Sequence, residues 1–327
     1  MKEGWITINK LLFQHKPVSW LPFNDSEIIS KAREMTREDI ETHSWENEEF
    51  KVKIVEDVQS HFVIDLFNRI HQSHVKDQKL TVILPNPYAA VYENLALLCN
   101  KYEVNCRNLN VFFLNEWANE EGQVAPLDYP SSYGRIFQKY FYGKLNPELR
   151  PDEKNIHYFT TENVKHYSDM IDETGDGGAD VCYTAIGWSG RIASIEPEGE
   201  FICNDMDTYL KQTYRIVTNH IISIAEDSLC GLFGHSGDLA AVPPKSATIG
   251  PRDIAHARDH IEMQYKMTVD GGTSWQSMIS KLMLFGPITM SVPASILRMF
   301  KGTCFIDERV VKDIKRVPDY PDDFYKF

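Results

Sequence analysis

Apolar residues along the chain switch between two spacings, and the switches mark its elements. Residues 51–55 (KVKIV) alternate polar and apolar as a strand does. Val58, Phe62, Leu66 and Ile70 then recur every four residues and give the next helix one apolar stripe. Residues 80–84 (LTVIL) form an uninterrupted apolar run, the mark of a parallel strand buried on both faces, and Val91, Leu95 and Leu98 predict the helix after it. Residues 109–114 (LNVFFL) predict a third buried strand. Ser131 or Ser132 can cap a helix carrying Ile136, Phe137 and Tyr140. Further strands are expected over 181–186, 214–217, 247–249, from Ile261 onward and over 304–306, with a helix over 275–284 between the last two. Strands alternating with helices predict an α/β fold, a mainly parallel sheet covered by helices on both faces. Ligands of such sheets sit beyond the carboxyl ends of the strands. The loops at 85–90, 115–129, 187–200 and 270–274 are therefore where chemistry is expected.

Residues 1–50 break this rhythm. They hold Trp5, Trp20 and Trp45, a stretch bracketed by Pro17 and Pro22, and a charged, helix-like run over 24–41. The expected organisation is an N-terminal extension or arm at 1–50 followed by one α/β domain at 51–327. Charge narrows the partners: 47 acidic side chains against 34 basic ones leave a net charge of −13. Binding to nucleic acid or to an anionic bilayer rests on a surplus of Lys and Arg, so neither partner is expected. No apolar run approaches the roughly 18 residues that a bilayer span needs, and residues 1–13 lack the uninterrupted apolar stretch of a secretory signal. The six cysteines are scattered without a C-x-x-C pair and are expected to be reduced thiols in a cytoplasm.

The candidate loops carry motifs. Residues 113–117 (FLNEW), 129–133 (YPSSY), 185–197 (AIGWSGRIASIEP) and 286–295 (GPITMSVPAS) follow one another in an order and at separations that resemble the glucosamine-6-phosphate deaminase/isomerase family. That family has a strand ending in N-M-D-E-Y, then D/E-x-P-x-S-Y, then G-x-G-x-D-G-H-I-A-F-N-E-P, then G-P-V-x-x-x-x-P-A-S. The match runs from about residue 51 to about residue 311. The resemblance implies a Rossmann-like fold shared with ribose-5-phosphate isomerase and 6-phosphogluconolactonase. It also implies an isomerase or hydrolase of carbohydrate metabolism, which opens an amino-sugar phosphate, isomerises it and expels ammonia, without metal or cofactor.

Against that pattern the catalytic positions are changed. Asn115 stands where the family's aspartate moves a proton between C1 and C2, and an amide cannot accept that proton. Ser189, Arg191 and Glu196 stand where an Asp, a His and a Glu form the ring-opening relay, so only the glutamate is kept. A guanidinium stays protonated and cannot shuttle a proton as imidazole does. The family's phosphate-cradling Gly-Gly-Thr turn is replaced by residues 84–90 (LPNPYAA), in which Pro87 has no amide hydrogen, and its late phosphate lysine falls at Gln276. Arg215 matches a family arginine that contacts phosphate. Gly271, Gly272, Thr273 and Ser274, just ahead of a predicted helix, can form a new amide cradle backed by the helix dipole.

Each of these residues has a plainer alternative. Arg191 and Arg215 can pair with surface carboxylates, and Gly271–Gly272 can be a tight turn. Glu196 and Glu116 can serve as general bases if the pocket raises their pKa; otherwise Glu196 braces its own loop through backbone amides and Glu116 partners a nearby base. Ser189 sits in a G-x-S-x-G-like run that lacks its last glycine. Trp188 can wall the pocket against a sugar face or fill volume. His256 and His260 would face one way on a helix, but no metal site is expected from them. The expectation is an isomerase/deaminase-like protein that acts on or binds a phosphorylated sugar, or another anion, through an altered site. Its alternative is an inactive relative that serves as a sugar-phosphate sensor. Either could associate as a homo-oligomer through the 1–50 arm.

Overall fold

The computed structural model describes residues 15–86, 89–266 and 274–314. The charged run near the N-terminus forms two short helices, α1 (Ser26–Glu34) and α2 (Arg37–Thr42), rather than one. Asp25 and Thr36 cap them by accepting hydrogen bonds from the first free backbone amides. Ile29, Ala32 and Ile40 are buried. The repeating unit follows: β1 (Phe50–Val55), α3 (Val58–Lys76), β2 (Leu80–Leu84), α4 (Ala89–Lys101), β3 (Leu109–Phe113). Then come β4 (Asn115–Ala118), α5 (Tyr133–Tyr140), a short edge strand β5 (Ile156–His157), α6 (Tyr167–Gly175) and β6 (Val181–Thr184). The second half contains α7 (Met206–Tyr209), β7 (Arg215–Thr218), α8 (Ile221–Ser228), β8 (Lys245–Thr248), α9 (Pro251–Ala255), β9 (His260–Gln264), α10 (Ser277–Phe285) and β10 (Gly302–Asp307).

Seven strands form a fully parallel sheet in the order β1-β10-β9-β6-β2-β3-β5. Every residue of β2, β3, β6 and β9 is buried, which is why those runs carry no polar alternation. The chain builds outward from β2 through β3 to β5, then returns to the other side of β2 with β6 and continues to β9 and β10. The crevice at that reversal, above the carboxyl ends of β2 and β6, is where such sheets take ligands.

Three strands belong elsewhere. Residues 115–118, 215–218 and 245–248, two of them expected as strands and one as a loop, form a separate antiparallel sheet β4-β8-β7. This small sheet stands beside the crevice and sets Asn115, Thr248 and Arg215 in one row. The helix spacing of His256 and His260 is not realised: His256 follows α9, while His260 is buried in β9 with its ring nitrogens on the carbonyls of Lys301 and Ile254. Among the described residues no group of three or more His, Cys, Asp or Glu could hold a metal ion, and no helix is long and apolar enough to cross a membrane. All six cysteines are free thiols.

Candidate functional site

The residues that follow the four central strands converge. Pro85 and Asn86 after β2, Leu114 and Asn115 after β3, Ala185 after β6, and Tyr265 and Lys266 after β9 line one cavity of about 590 Å³. Its walls are α5, which contributes Arg135 and Lys139, and the end of α8, which contributes Glu226 and Asp227. Trp275 closes one side.

The matched loop after β6 shapes the floor. Gly187 is required because Arg191 folds back over it: a Cβ there would lie 2.5 Å from the Arg191 Cγ. Gly190 and Ala193 take positive φ values of 90° and 55°. For an alanine this is a strained conformation of the kind held where a backbone must present a site. Ala193 lines the cavity, and the neighbouring Ser194 accepts a hydrogen bond from the Asn115 Nδ2 at 2.7 Å. The Asn115 Oδ1 accepts one from Asn86 at 3.0 Å. The Asn115 amide is thus held by partners on both sides.

Arg191 reaches the cavity but not as a free cation. Its Nη2 donates to the Asp227 carboxylate at 2.9 and 3.1 Å and lies 3.6 Å from Glu226. Burial works against its charge, yet Asp227, Glu226 and Glu196 outweigh that and raise its pKa further. Lys266 donates to Glu226 at 2.5 Å. Burial pushes Glu226 up, but Lys266 and Arg191 overcome it and hold the carboxyl below its usual range. Burial pushes Asp227 up to about 6 despite Arg191, with Glu226 adding to the rise. These four charges form one compensated cluster on the cavity wall.

Several expected site residues lie elsewhere. Glu116 follows Asn115 on a strand, so its side chain points to the opposite face. Its carboxylate accepts hydrogen bonds from the amides of Trp117, Tyr133 and Gly134 and from the Ser132 hydroxyl, at 2.8–3.2 Å. It anchors the N-terminus of α5 and does not reach the cavity. Burial pushes its pKa up while those donors pull it back. Glu196 is buried behind the floor, accepting from Ser189 and Ser223 at 3.0 Å each and from the His220 amide at 3.2 Å. Ser189 donates to it and does not line the cavity. Arg215 donates to the Glu200 carbonyl and stacks 4.6 Å over Phe201, outside the cavity. Trp188 is 41% exposed and touches Trp275, which is the tryptophan that lines the site.

Gly271, Gly272 and Thr273 lie outside the described residues. Ser274 uses its hydroxyl locally, donating to the Lys266 carbonyl and accepting from the Gln276 amide. Gln276 is buried and bonded to Lys266 and Ile186.

Two curated relatives are similar to this chain in sequence. The chain is 26% identical over 209 residues to the glucosamine-6-phosphate deaminase of Lachnoclostridium phytofermentans, covering 57% of this chain and 76% of the relative. It is 27% identical over 247 residues to glucosamine-6-phosphate deaminase 2 of Bacillus subtilis, covering 73% and 87%. Among solved structures, a monomeric glucosamine-6-phosphate deaminase described as the missing link of the NagB superfamily superposes with a TM-score of 0.62 at 19% identity, over 81% of this chain and all of the other. The chain is thus similar in sequence to glucosamine-6-phosphate deaminases and shares the fold of that structure. The fold is shared with a 6-phosphogluconolactonase of Thermotoga maritima, at a TM-score of 0.55 and 16% identity over 79% of this chain and 99% of the other. No protein-family model matches the chain.

Sequence reasoning missed Asp227, Glu226, Lys266, Arg135 and Lys139, which carry the charge of the cavity. Lys266 had a signal, since it lies two residues after the end of a buried strand. The α8 carboxylates had none, because only the tertiary fold brings residue 227 beside residue 191.

Proposed function

We propose that this cavity binds a phosphorylated sugar and that the protein does not run the deaminase reaction with the residues at the matched positions. The observation that carries the reading is the state of those positions. Asn115 cannot accept a proton, Arg191 is spent on Asp227, and each oxygen of Glu196 already accepts a hydrogen bond. The family to which the chain is related binds phosphorylated sugars, and the cavity is large enough for a hexose phosphate with cationic groups on its walls. The reading takes residues 1–50 as an extension on a 51–327 sugar-phosphate domain. It also keeps a cytoplasmic setting and self-association through that extension.

A second reading, an enzyme with relocated chemistry, is favoured by Asp227. It is a carboxyl in the cavity wall held near 6, close to the pKa that suits a general base at neutral pH. One experiment separates the two. Glucosamine 6-phosphate and fructose 6-phosphate are incubated with the protein in D2O, and ammonia and deuterium at C2 of the amino sugar or C1 of the ketose are followed by NMR. Loss of a positioned base removes roughly 10²- to 10⁴-fold in rate, so at most trace ammonia is expected. Ammonia release at several turnovers per second would overturn the binding reading. Exchange at either carbon that disappears in D227N would establish the second.

A further inference from the structure

The charges of the cavity do not fall evenly on its walls. Arg191 and Lys266 are each matched by a buried carboxylate, Asp227 and Glu226, and together contribute no net charge. Arg135 and Lys139 lie four residues apart on α5, hence on one helix face, and both line the cavity. The Arg135 Nη1 donates to the carbonyls of Leu127 and Asp128 at 3.5 and 3.3 Å, contacts that orient the guanidinium without neutralising it. The Lys139 ammonium lies 4.9 Å from the centroid of the Tyr140 ring. Among the described residues neither forms an ion pair with a carboxylate. In a chain of net charge −13 they are the uncompensated positive charge of the site.

We infer that the phosphate of the ligand is held by Arg135 and Lys139 of α5, and not by Arg191 or Arg215. The inference rests on the proposal that the cavity takes a phosphorylated sugar, and it adds the orientation. A phosphomonoester carries close to two negative charges near neutral pH, and the planar fork of an arginine matches its oxygens. Binding it at α5 leaves its charge facing an unopposed pair, whereas placing it at Arg191 would set it against Asp227 and Glu226. The polyol end then faces the coupled amides of Asn86 and Asn115, which offer hydrogen bonds but no charge. Arg215, outside the cavity, takes no part.

The test is calorimetric titration of the full chain with glucosamine 6-phosphate, fructose 6-phosphate and inorganic phosphate at low salt. Wild type is compared with R135A/K139A, the milder R135Q/K139Q and R215A, each checked for an unchanged thermal transition. The expected result is that both α5 double variants weaken the phosphosugars by about tenfold or more, while R215A changes affinity less than about twofold. If wild type binds and the α5 variants bind within twofold of it, the inference is overturned and the functional proposal stands. If wild type binds none of the three at millimolar concentration, the functional proposal fails and takes the inference with it.

Discussion

Arg191 shows what a buried guanidinium demands of its surroundings. Unlike an imidazole, a guanidinium keeps its charge and needs a permanent counter-charge when buried. Asp227 provides it, and the pair becomes part of the wall. Removing the cation should therefore damage the fold more than any exposed arginine would. We expect R191M to lose about 3–5 kcal/mol of stability at pH 8 in urea titrations, because Asp227 is left ionised and unpaired. The loss should be smaller at pH 5. There Asp227, already near 6 in the wild type and higher without Arg191, binds a proton, and the variant no longer buries a bare charge. An equal loss at both pH values would mean that the pair is not what Arg191 contributes.

At the scale of elements, α5 depends on a carboxylate from another element. Its first amides, which no helix can satisfy internally, donate to Glu116 of β4 together with the Ser132 hydroxyl. Glu116 thus locks the helix that carries Arg135 and Lys139 against the strand that carries Asn115. E116A strands several buried donors at roughly 1–3 kcal/mol each. Unfolding measurements should show a loss of about 3 kcal/mol or more, with E116Q intermediate because its amide oxygen can still accept. A loss below about 1 kcal/mol in E116A would remove Glu116 from the architecture. A parallel tie holds the N-terminal helices: the Lys281 ammonium of α10 donates to the Met35 carbonyl beyond α1 at 2.6 Å and to the Lys312 carbonyl at 3.3 Å.

For the whole molecule, buried carboxyls set the pH response. Burial raises Glu262 to about 7 in the middle of β9, where Thr184 and the Ile186 amide donate to it, and raises Asp253 to about 6. An acid whose folded pKa exceeds its unfolded value keeps more protons in the native state, so stability falls as pH rises between the two values. For Glu262 and Asp253, joined by Asp227, that window runs from about 4 to 7. His157, lowered by burial, works in the opposite direction over part of it. Thermal melts should give a higher midpoint at pH 5.5 than at pH 8, and E262Q should narrow the difference by removing the largest single contributor. A midpoint that rises with pH, or an E262Q profile identical to wild type, would contradict this account.

The parallel strands and their helices were legible in the sequence because burial on both faces requires unbroken apolar runs. Residues 80–84 and 109–113 could be little else. The motif order carried the resemblance to the deaminases for a related reason: the loops at 115 and 187–197 follow strands whose carboxyl ends must meet above the sheet. What each polar side chain does there was decided by the tertiary structure. Asn115 and Glu116 are adjacent in sequence, yet strand alternation sends one into the cavity and the other into a helix cap. Arg191 and Arg215 look equivalent as cations, yet only the first reaches the cavity, where carboxylates 35 and 36 residues onward cancel it. Periodicity reports which face of an element is buried, whereas a charge takes its role from partners that the fold, and no local pattern, brings within 3 Å.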